Sequence, residues 1–479
     1  QLREQYHVRI AEALVRSGVG KPVEICEHFF AGRAAERVHP YVEAAIQELQ
    51  AGQLYGHAAA LAQQALDVEG LIEGAERVLL LQRSASWFAR SGRKHKERDL
   101  TNEAHALALT LGDKDLLART TRSQAMRLSD DGKYEEALEV ALRAREMALE
   151  GGYDRVIASA STTAGNALIW LGRIDEALAL FEQALEADVR RGDPLATIVD
   201  HGNIGRALIM LGRRDEGLKS EHKALDMARE NNLLWAQASL ATNIGVTATE
   251  MGRLAEARAY LDESLALSLR MGHRVSEAVA LVNMGRLHVL LGEFDTAADW
   301  SERGIELAQE NNSVRIESYG WLYRAQELDW RGERDRAHEC AQTALRMRRE
   351  LKFVAGMPEV LIEAARLSPD DAERAALLDE AAECAAETKQ PGYLWQAIAH
   401  RARHGLAPRP DLAPGDETEA SVLQRLQGHW ELYLATGDAE HRDAARAHVE
   451  TLRAHAPAEF AESMVRNVPL YRDVSAAAS

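Results

Sequence analysis

Asparagine recurs at one register in three successive segments: Asn203-Ile204-Gly205, Asn243-Ile244-Gly245 and Asn283-Met284-Gly285, each 40 residues after the last. Thr163 precedes the series and Tyr323 comes after it. A primary amide offers both a donor and an acceptor, so a row of amides can hold peptide groups whatever side chains lie between them. This is binding chemistry. On a helix, residues at i and i+3 share a face, which sets Arg206 beside Asn203 and Arg286 beside Asn283. Asn166 and Trp170, one segment earlier, complete the candidate partner-binding set.

Nothing in the chain assembles a catalytic constellation around them. Gly18-Val19-Gly20-Lys21-Pro22 lacks the first glycine of a phosphate loop and has proline where Ser or Thr would hold magnesium; it reads as a turn between helices. There is no Gly-x-Ser-x-Gly elbow, and His338-Glu339 has no second histidine at the spacing of a zinc-binding helix. Cys26, Cys340 and Cys384 are odd in number and far apart, which fits buried reduced thiols and neither a disulfide frame nor a zinc site. The expectation is no catalytic residue, no metal, no cofactor and no enzymatic activity in this chain itself. A preceding ATPase or kinase domain would be consistent with that.

The elements that carry the amides are written in glycine. Gly92, Gly132, Gly172, Gly212, Gly252, Gly292 and Gly332 stand 40 residues apart. A second row, Gly165, Gly205, Gly245 and Gly285, lies seven residues before members of the first. A third runs Gly112, Gly152, Gly192, Asn232, Gly272, Asn312 and ends in Lys352. A step of this length denotes one small unit copied end to end, which cannot bury an apolar face alone and so stacks into a solenoid. The first row marks a helix stop and restart. The third has the composition of left-handed helix caps. The second falls inside an apolar-periodic segment, where glycine implies close approach of a neighbouring helix. Small residues five and twelve positions after the first row, such as Ala177 and Ala184, Ala257 and Ser264, let two antiparallel helices pack closely. One unit is predicted as helix A over 155–171 and helix B over 174–191, with Ile174, Ala177, Leu178, Phe181, Ala184 and Leu185 as the buried stripe of helix B. No stretch alternates with period two, so the fold class is all-α.

Small residues at Gly165, Ala177 and Ala184, at Gly205, Gly217 and Ala224, and at Gly245, Ala257 and Ser264 resemble the tetratricopeptide repeat. The resemblance covers residues 72–352 well and 34–404 more loosely, with a 40-residue step in place of the usual repeat of about 34. It implies a right-handed superhelix with helix A on the concave side, and it places the asparagines in the groove. Helices there pack ~8–10 Å apart and an extended chain advances ~3.3 Å per residue, so the amides recur about every third residue of a bound strand. The opposing reading is equally physical: an asparagine repeating with the unit bridges a backbone group between adjacent helices, since buried polar groups find partners. Of Trp170, Trp235, Trp300, Trp321 and Trp330, packing between units is the default role; Trp170 and Trp330 end helix A and can instead floor the groove.

Residues 1–33 form two short helices out of phase with the units. They resemble the segment after the ATPase and winged-helix modules of bacterial signal-transduction ATPases, so a missing upstream region is expected. The array is expected over 34–390, about nine helix pairs. A proline-rich linker at 405–416 with Pro408, Pro410 and Pro414 then sits within a C-terminal cap over 391–479, whose residues 391–472 fold back with a polar face.

A net charge of −18 and a pI near 5.5 leave no basic footprint for nucleic acid, and no apolar run approaches the roughly 18 residues of a membrane span. These features point to a cytoplasmic chain, and the resemblances imply the recognition arm of a bacterial signalling protein. Its partner is a protein, a signalling peptide or its own upstream domains, held in the groove. The alternatives are a scaffold or oligomerisation module using the outer helix B face, on which no exposed apolar row is visible, and a metabolite sensor with a closed, aromatic-lined pocket.

Overall fold

The glycine rows set the helix boundaries. In the structure, a computed structural model describing residues 2–52, 54–90, 93–406 and 417–477, Gly112, Gly152, Gly192, Asn232, Gly272, Asn312 and Lys352 all adopt left-handed φ between 52° and 69°. Each closes a helix as its register predicts: Gly192 N donates to Val189 O at 3.0 Å and Asp193 N to Asp188 O at 3.2 Å. Gly132, Gly172, Gly212, Gly252, Gly292 and Gly332 take φ between 73° and 89° at the turns between helices A and B. Gly92 and the prolines at 408, 410 and 414 lie outside the described residues. The predicted pair at 155–171 and 174–191 is found as Asp154–Trp170 and Ile174–Arg191. Among the described residues there are twenty-five α-helices and no strand. None of these helices is long and apolar enough to cross a membrane.

Close contact explains the second glycine row. A Cβ at Gly165, Gly205, Gly245 or Gly285 would lie 2.5 Å from Phe181, 2.5 Å from Glu221, 2.8 Å from Leu261 or 2.3 Å from Ser301, always the residue 16 positions on in helix B. Glycine inside a helix costs about 1 kcal/mol against alanine, and the closer approach of helix B offsets it. Ala177, Ala184, Ala224, Ala257, Ser264, Ala297, Ala337 and Ala344 are fully buried at the same crossings.

The chain divides into two compact units, Gln1–Ala164 and Gly165–Ser479. In the first, Leu2–Ser17 and Pro22–Ala31 share one apolar core with the next helices of that unit; Ala11, Ile25, Phe29, Val42, Ile46, Leu61 and Leu81 all belong to it. Leu2–Ser17 and Pro22–Ala31 thus pack with the helices that follow them. The second unit is an α-solenoid of helix pairs from Pro194–Met210 through Arg334–Glu350, after which the 40-residue step ends.

Beyond Phe353 the chain lies along the A–B turns and meets them in the order of the array. Gly172 faces Thr388 and Val354; Gly212 faces Glu419; Gly252 faces Val422 and Leu452; Gly292 faces Met464, Asn467 and Val468. Asn467 Nδ2 donates to Gly292 O at 3.2 Å, Ala255 N donates to His455 O at 2.9 Å, and Lys389 pairs with Asp175. The contact is apolar at heart: Leu254, Leu287, Leu291 and Trp330 form one core with Leu426, Val449, Leu452, Met464 and Tyr471. The C-terminal helices thus fold onto the array as a helical cap, and the face they bury against it is apolar. Leu254, Leu290 and Leu291 stand on the turn edge itself, and burying them is what the returning helices do. Trp330 is a core residue here, in edge contact with Phe294 and Tyr471.

The helix B surface differs from its sequence reading in one respect. Leu109, Leu149, Val189 and Leu269 recur at one helix B position and are 49–59% exposed. Arg229 and Gln309 occupy the same register and interrupt the row.

Candidate functional site

Helix A of each unit sends its side chains four, seven and eleven residues apart to one surface, and within the second unit that surface is closed from the other side. Asn166, Trp170, Arg206, Asn243, Asn283 and Arg286 line one cavity of about 510 Å³ with Tyr319 and Tyr323, while Phe353, Glu359, Gln390, Tyr393 and Gln424 supply the opposite wall. Six of the seven sequence-derived residues are brought together. Asn203 is not among the lining residues; it is half-buried beside them, and its Oδ1 accepts from Arg206 Nη2 at 3.2 Å.

The amides do not all do the same thing. Asn166 Oδ1 accepts from Arg206 Nη2 at 3.0 Å, so Arg206 ties two units together through a pair of amide oxygens. Asn283 Nδ2 donates to Val279 O of its own helix at 2.8 Å. Asn243 lies against Glu221. The row is thus strut at one end and open polar surface further along. Trp170 meets Phe353 with ring centroids 4.8 Å apart, closing one end of the cavity.

The charges sort into matched and unmatched. Glu250 faces Arg214 at 3.5 Å and Arg286 at 3.8 Å. Arg286 also lies over the Tyr323 ring, 5.1 Å from its centroid. Burial opposes the Arg286 charge, but Tyr323, Glu359 and Glu250 outweigh it and hold its pKa above the ordinary value. Arg348 is fully buried over Tyr319, 4.2 Å from the ring centroid, and reaches Glu359 at 3.3 Å. Burial likewise keeps the Tyr323 and Tyr393 hydroxyls protonated. Arg206 differs. No carboxylate lies within ion-pair distance of it among the described residues, its Nε is buried without an acceptor, and burial together with the Arg315 charge lowers its pKa to about 10.

Glu221 was not read from the sequence. It occupies the helix B position held by Phe181, Leu261 and Ser301 in neighbouring units, beneath Gly205, and is fully buried on the cavity floor. Neither carboxyl oxygen makes a hydrogen bond of normal geometry, although Asn243 is near enough to favour the charged form. Burial prevails and lifts its pKa to about 8, so at neutral pH it is largely a protonated donor. The signal was available: a carboxyl in the buried stripe of helix B. Arg315, Tyr319, Tyr393 and Gln424 were also missed, the last two because the returning chain brings them and no period announces it.

Residues 156–230 and 236–310 match the family model of the tetratricopeptide repeat. No curated protein matches the chain by sequence. Among solved structures, a Rap protein complexed with competence and sporulation factor is 15% identical, aligned over 73% of this chain and 98% of its own at a TM-score of 0.58. The apo form of the quorum sensor NprR from B. thuringiensis is 15% identical over 71% of this chain and 97% of its own, with a TM-score of 0.50. Both share the α-solenoid fold. A signal transduction ATPase with numerous domains and a tetratricopeptide repeat sensor, from Pyrococcus horikoshii, aligns over 83% of this chain and 54% of its own at 14% identity. Its TM-score of 0.35 is too low to bear on fold or role.

Proposed function

We propose that this chain, built of tetratricopeptide repeats over residues 156–230 and 236–310, is a non-enzymatic recognition arm that holds a short peptide in the cavity, within a larger bacterial signalling protein. One observation carries the reading. Half-buried amides and arginines of successive A helices converge on a single cavity, which the chain after Phe353 walls from the other side. A volume of about 510 Å³ falls in the range of ligand pockets, ~300–1,000 Å³. That suits a peptide of a few residues and not a long protein segment running the length of the array. The Rap structure is described as a complex with competence and sporulation factor, and NprR as a quorum sensor; both descriptions agree with a regulatory, ligand-holding role.

A second reading has its own support. Trp170, Tyr319, Tyr323, Phe353 and Tyr393 give the cavity an aromatic lining, the feature that favours a small metabolite. The interrupted helix B row gives the scaffold reading less.

Mass spectrometry of what co-purifies with the chain under native conditions separates the first two, a peptide or a metabolite being released on denaturation. Asn243→Ala with Asn283→Ala is expected to empty the site while leaving the melting temperature near that of the parent. A double variant that melts much earlier, with single variants that still bind normally, would make the asparagines struts and remove the groove reading.

A further inference from the structure

Three histidines meet in the C-terminal helices, outside the cavity lining. His429 is buried on helix Val422–Thr436. His441 and His448 lie two turns apart on helix Ala439–Ala454 and are half-buried. The His429 ring centroid is 5.2 Å from that of His441 and 5.8 Å from that of His448, the second pair stacked at 20°. Trp395 of helix Pro391–Arg403 meets the His429 ring edge-on at 5.2 Å, and a Cβ at Gly428 would run into the Trp395 ring.

His429 Nδ1 and His441 Nδ1 face each other at 3.0 Å. Such a contact is a hydrogen bond only while one of the two nitrogens lacks a proton, because an imidazolium carries N–H at both positions. Glu417 Oε2, 3.5 Å from His429 Nε2, favours a proton there and leaves Nδ1 as the acceptor. With all three rings protonated, N–H would point at N–H in one contact and charge would stack on charge in the other. The charges that face the cluster are Glu417 from the turn Glu417–Glu419, Arg425 from the helix of His429, and Glu440 from the helix of the other two. Helix Pro391–Arg403 presents Trp395 to it, while His400 and Arg403 of that helix face Glu431. Two acids and one base do not neutralise three imidazoliums. Burial lowers the pKa of His429, and at His448 burial, Arg425 and His429 together take it down to about 4.

The cluster holds the rest of its helices in place. Gln424, five residues before His429, walls the cavity, and Val422 and Leu452 cover the turn at Gly252. We propose that His429, His441 and His448 form an acid-opened latch. Neutral, they clamp helix Val422–Thr436 to helix Ala439–Ala454; protonated, they part the two helices and uncover the turn at Gly252 and the Gln424 side of the cavity. The latch works whatever the cavity holds.

The sign follows from the lowered pKa. A histidine that is harder to protonate when closed takes up its proton on opening, so the latch is firm above about 6.5, the value of an exposed imidazole. It weakens as pH falls from there towards 4. Between pH 7.5 and 5.5, one such proton multiplies the open population about tenfold, and a second multiplies it again.

Hydrogen exchange of the intact 479-residue chain at pH 7.5 and 5.5, each rate divided by its intrinsic value at that pH, reads the opening. Amides of 422–436 and 439–454 and those around Gly252 are expected to lose protection about tenfold or more at pH 5.5, while those of Arg334–Glu350 keep theirs. His448→Phe leaves a ring in the stack that takes no proton, and is expected to cut that loss about tenfold. His441→Asn keeps an amide opposite His429 Nδ1 and is expected to cut it as well. Unchanged protection of 422–454 in the unaltered chain overturns the latch. So does an equal loss in every helix, which is general loosening by acid, or a local loss that a folded variant retains in full.

Discussion

Glu221 is the residue at which this chain departs furthest from its own repeat. Where neighbouring units place Phe181, Leu261 or Ser301 under the helix A glycine, this one places a carboxyl with no hydrogen-bond partner. Its pKa stands at about 8 in the folded chain against about 4.3 when exposed. Between those values the folded state holds more protons than the unfolded state, so stability falls as pH rises through the window and levels off above it. Each unit within it costs up to about 1.4 kcal/mol. Glu221→Gln keeps the shape and removes the titration. Its melting temperature is expected to equal that of the parent near pH 4 and to exceed it at pH 9. Parallel curves for the two proteins across that range, followed by circular dichroism, would mean that the carboxyl is hydrated and not buried.

At the scale of the element, two substitutions separate the jobs of the glycine rows. Gly165→Ala gains about 1 kcal/mol of helix propensity. Its Cβ, however, would sit 2.5 Å from the ring of Phe181, which is fully buried and has nowhere to move. Overpacking of this kind costs ~1–3 kcal/mol, so a net loss of stability is expected in a denaturant titration. Lys352 ends the third row with a left-handed φ of 52°, a conformation that costs a non-glycine residue ~1–2 kcal/mol. Lys352→Gly relieves it, less the extra freedom glycine has when unfolded, and a gain of roughly 0.5–1 kcal/mol is expected. No change, or a loss, would mean that the Lys352 side chain contributes more than its backbone strain removes. These rows also explain what the sequence could disclose. Turns, caps and helix crossings repeat, so each is stated many times over and the pair at 155–191 was legible to within a residue. Asn166, Arg206, Asn243, Asn283 and Arg286 shared that period and were found with it. Tyr393 and Gln424 lie beyond the last unit, and Glu221 breaks its register with a residue type ordinarily assigned to solvent. Long-range return of the chain leaves no periodic trace.

At the scale of the second unit, that return changes how an array of repeats should behave. A plain solenoid is held by nearest-neighbour contacts, so removing one end leaves the rest as it was. Here Asn467 bonds Gly292 across 175 positions and Glu459 pairs with Arg258 across 201, and the apolar core joins Leu254, Leu291 and Trp330 to Leu452, Met464 and Tyr471. A chain ending at Leu406 keeps its helix pairs but uncovers that edge and loses Gln424 from the cavity wall. It is expected to bind a hydrophobic dye, to self-associate with rising concentration and to hold its ligand more weakly. Hydrogen exchange locates the effect. The turns at Gly212, Gly252 and Gly292 are covered by the returning chain, whereas a Cβ at Gly332 would meet nothing within 4 Å. Truncation should therefore speed exchange around the first three turns and leave the fourth unchanged. Uniform acceleration at all four would instead mean that the unit unfolds as one cooperative body. Unchanged rates everywhere would mean that residues 417–477 are not held on the turn edge in solution.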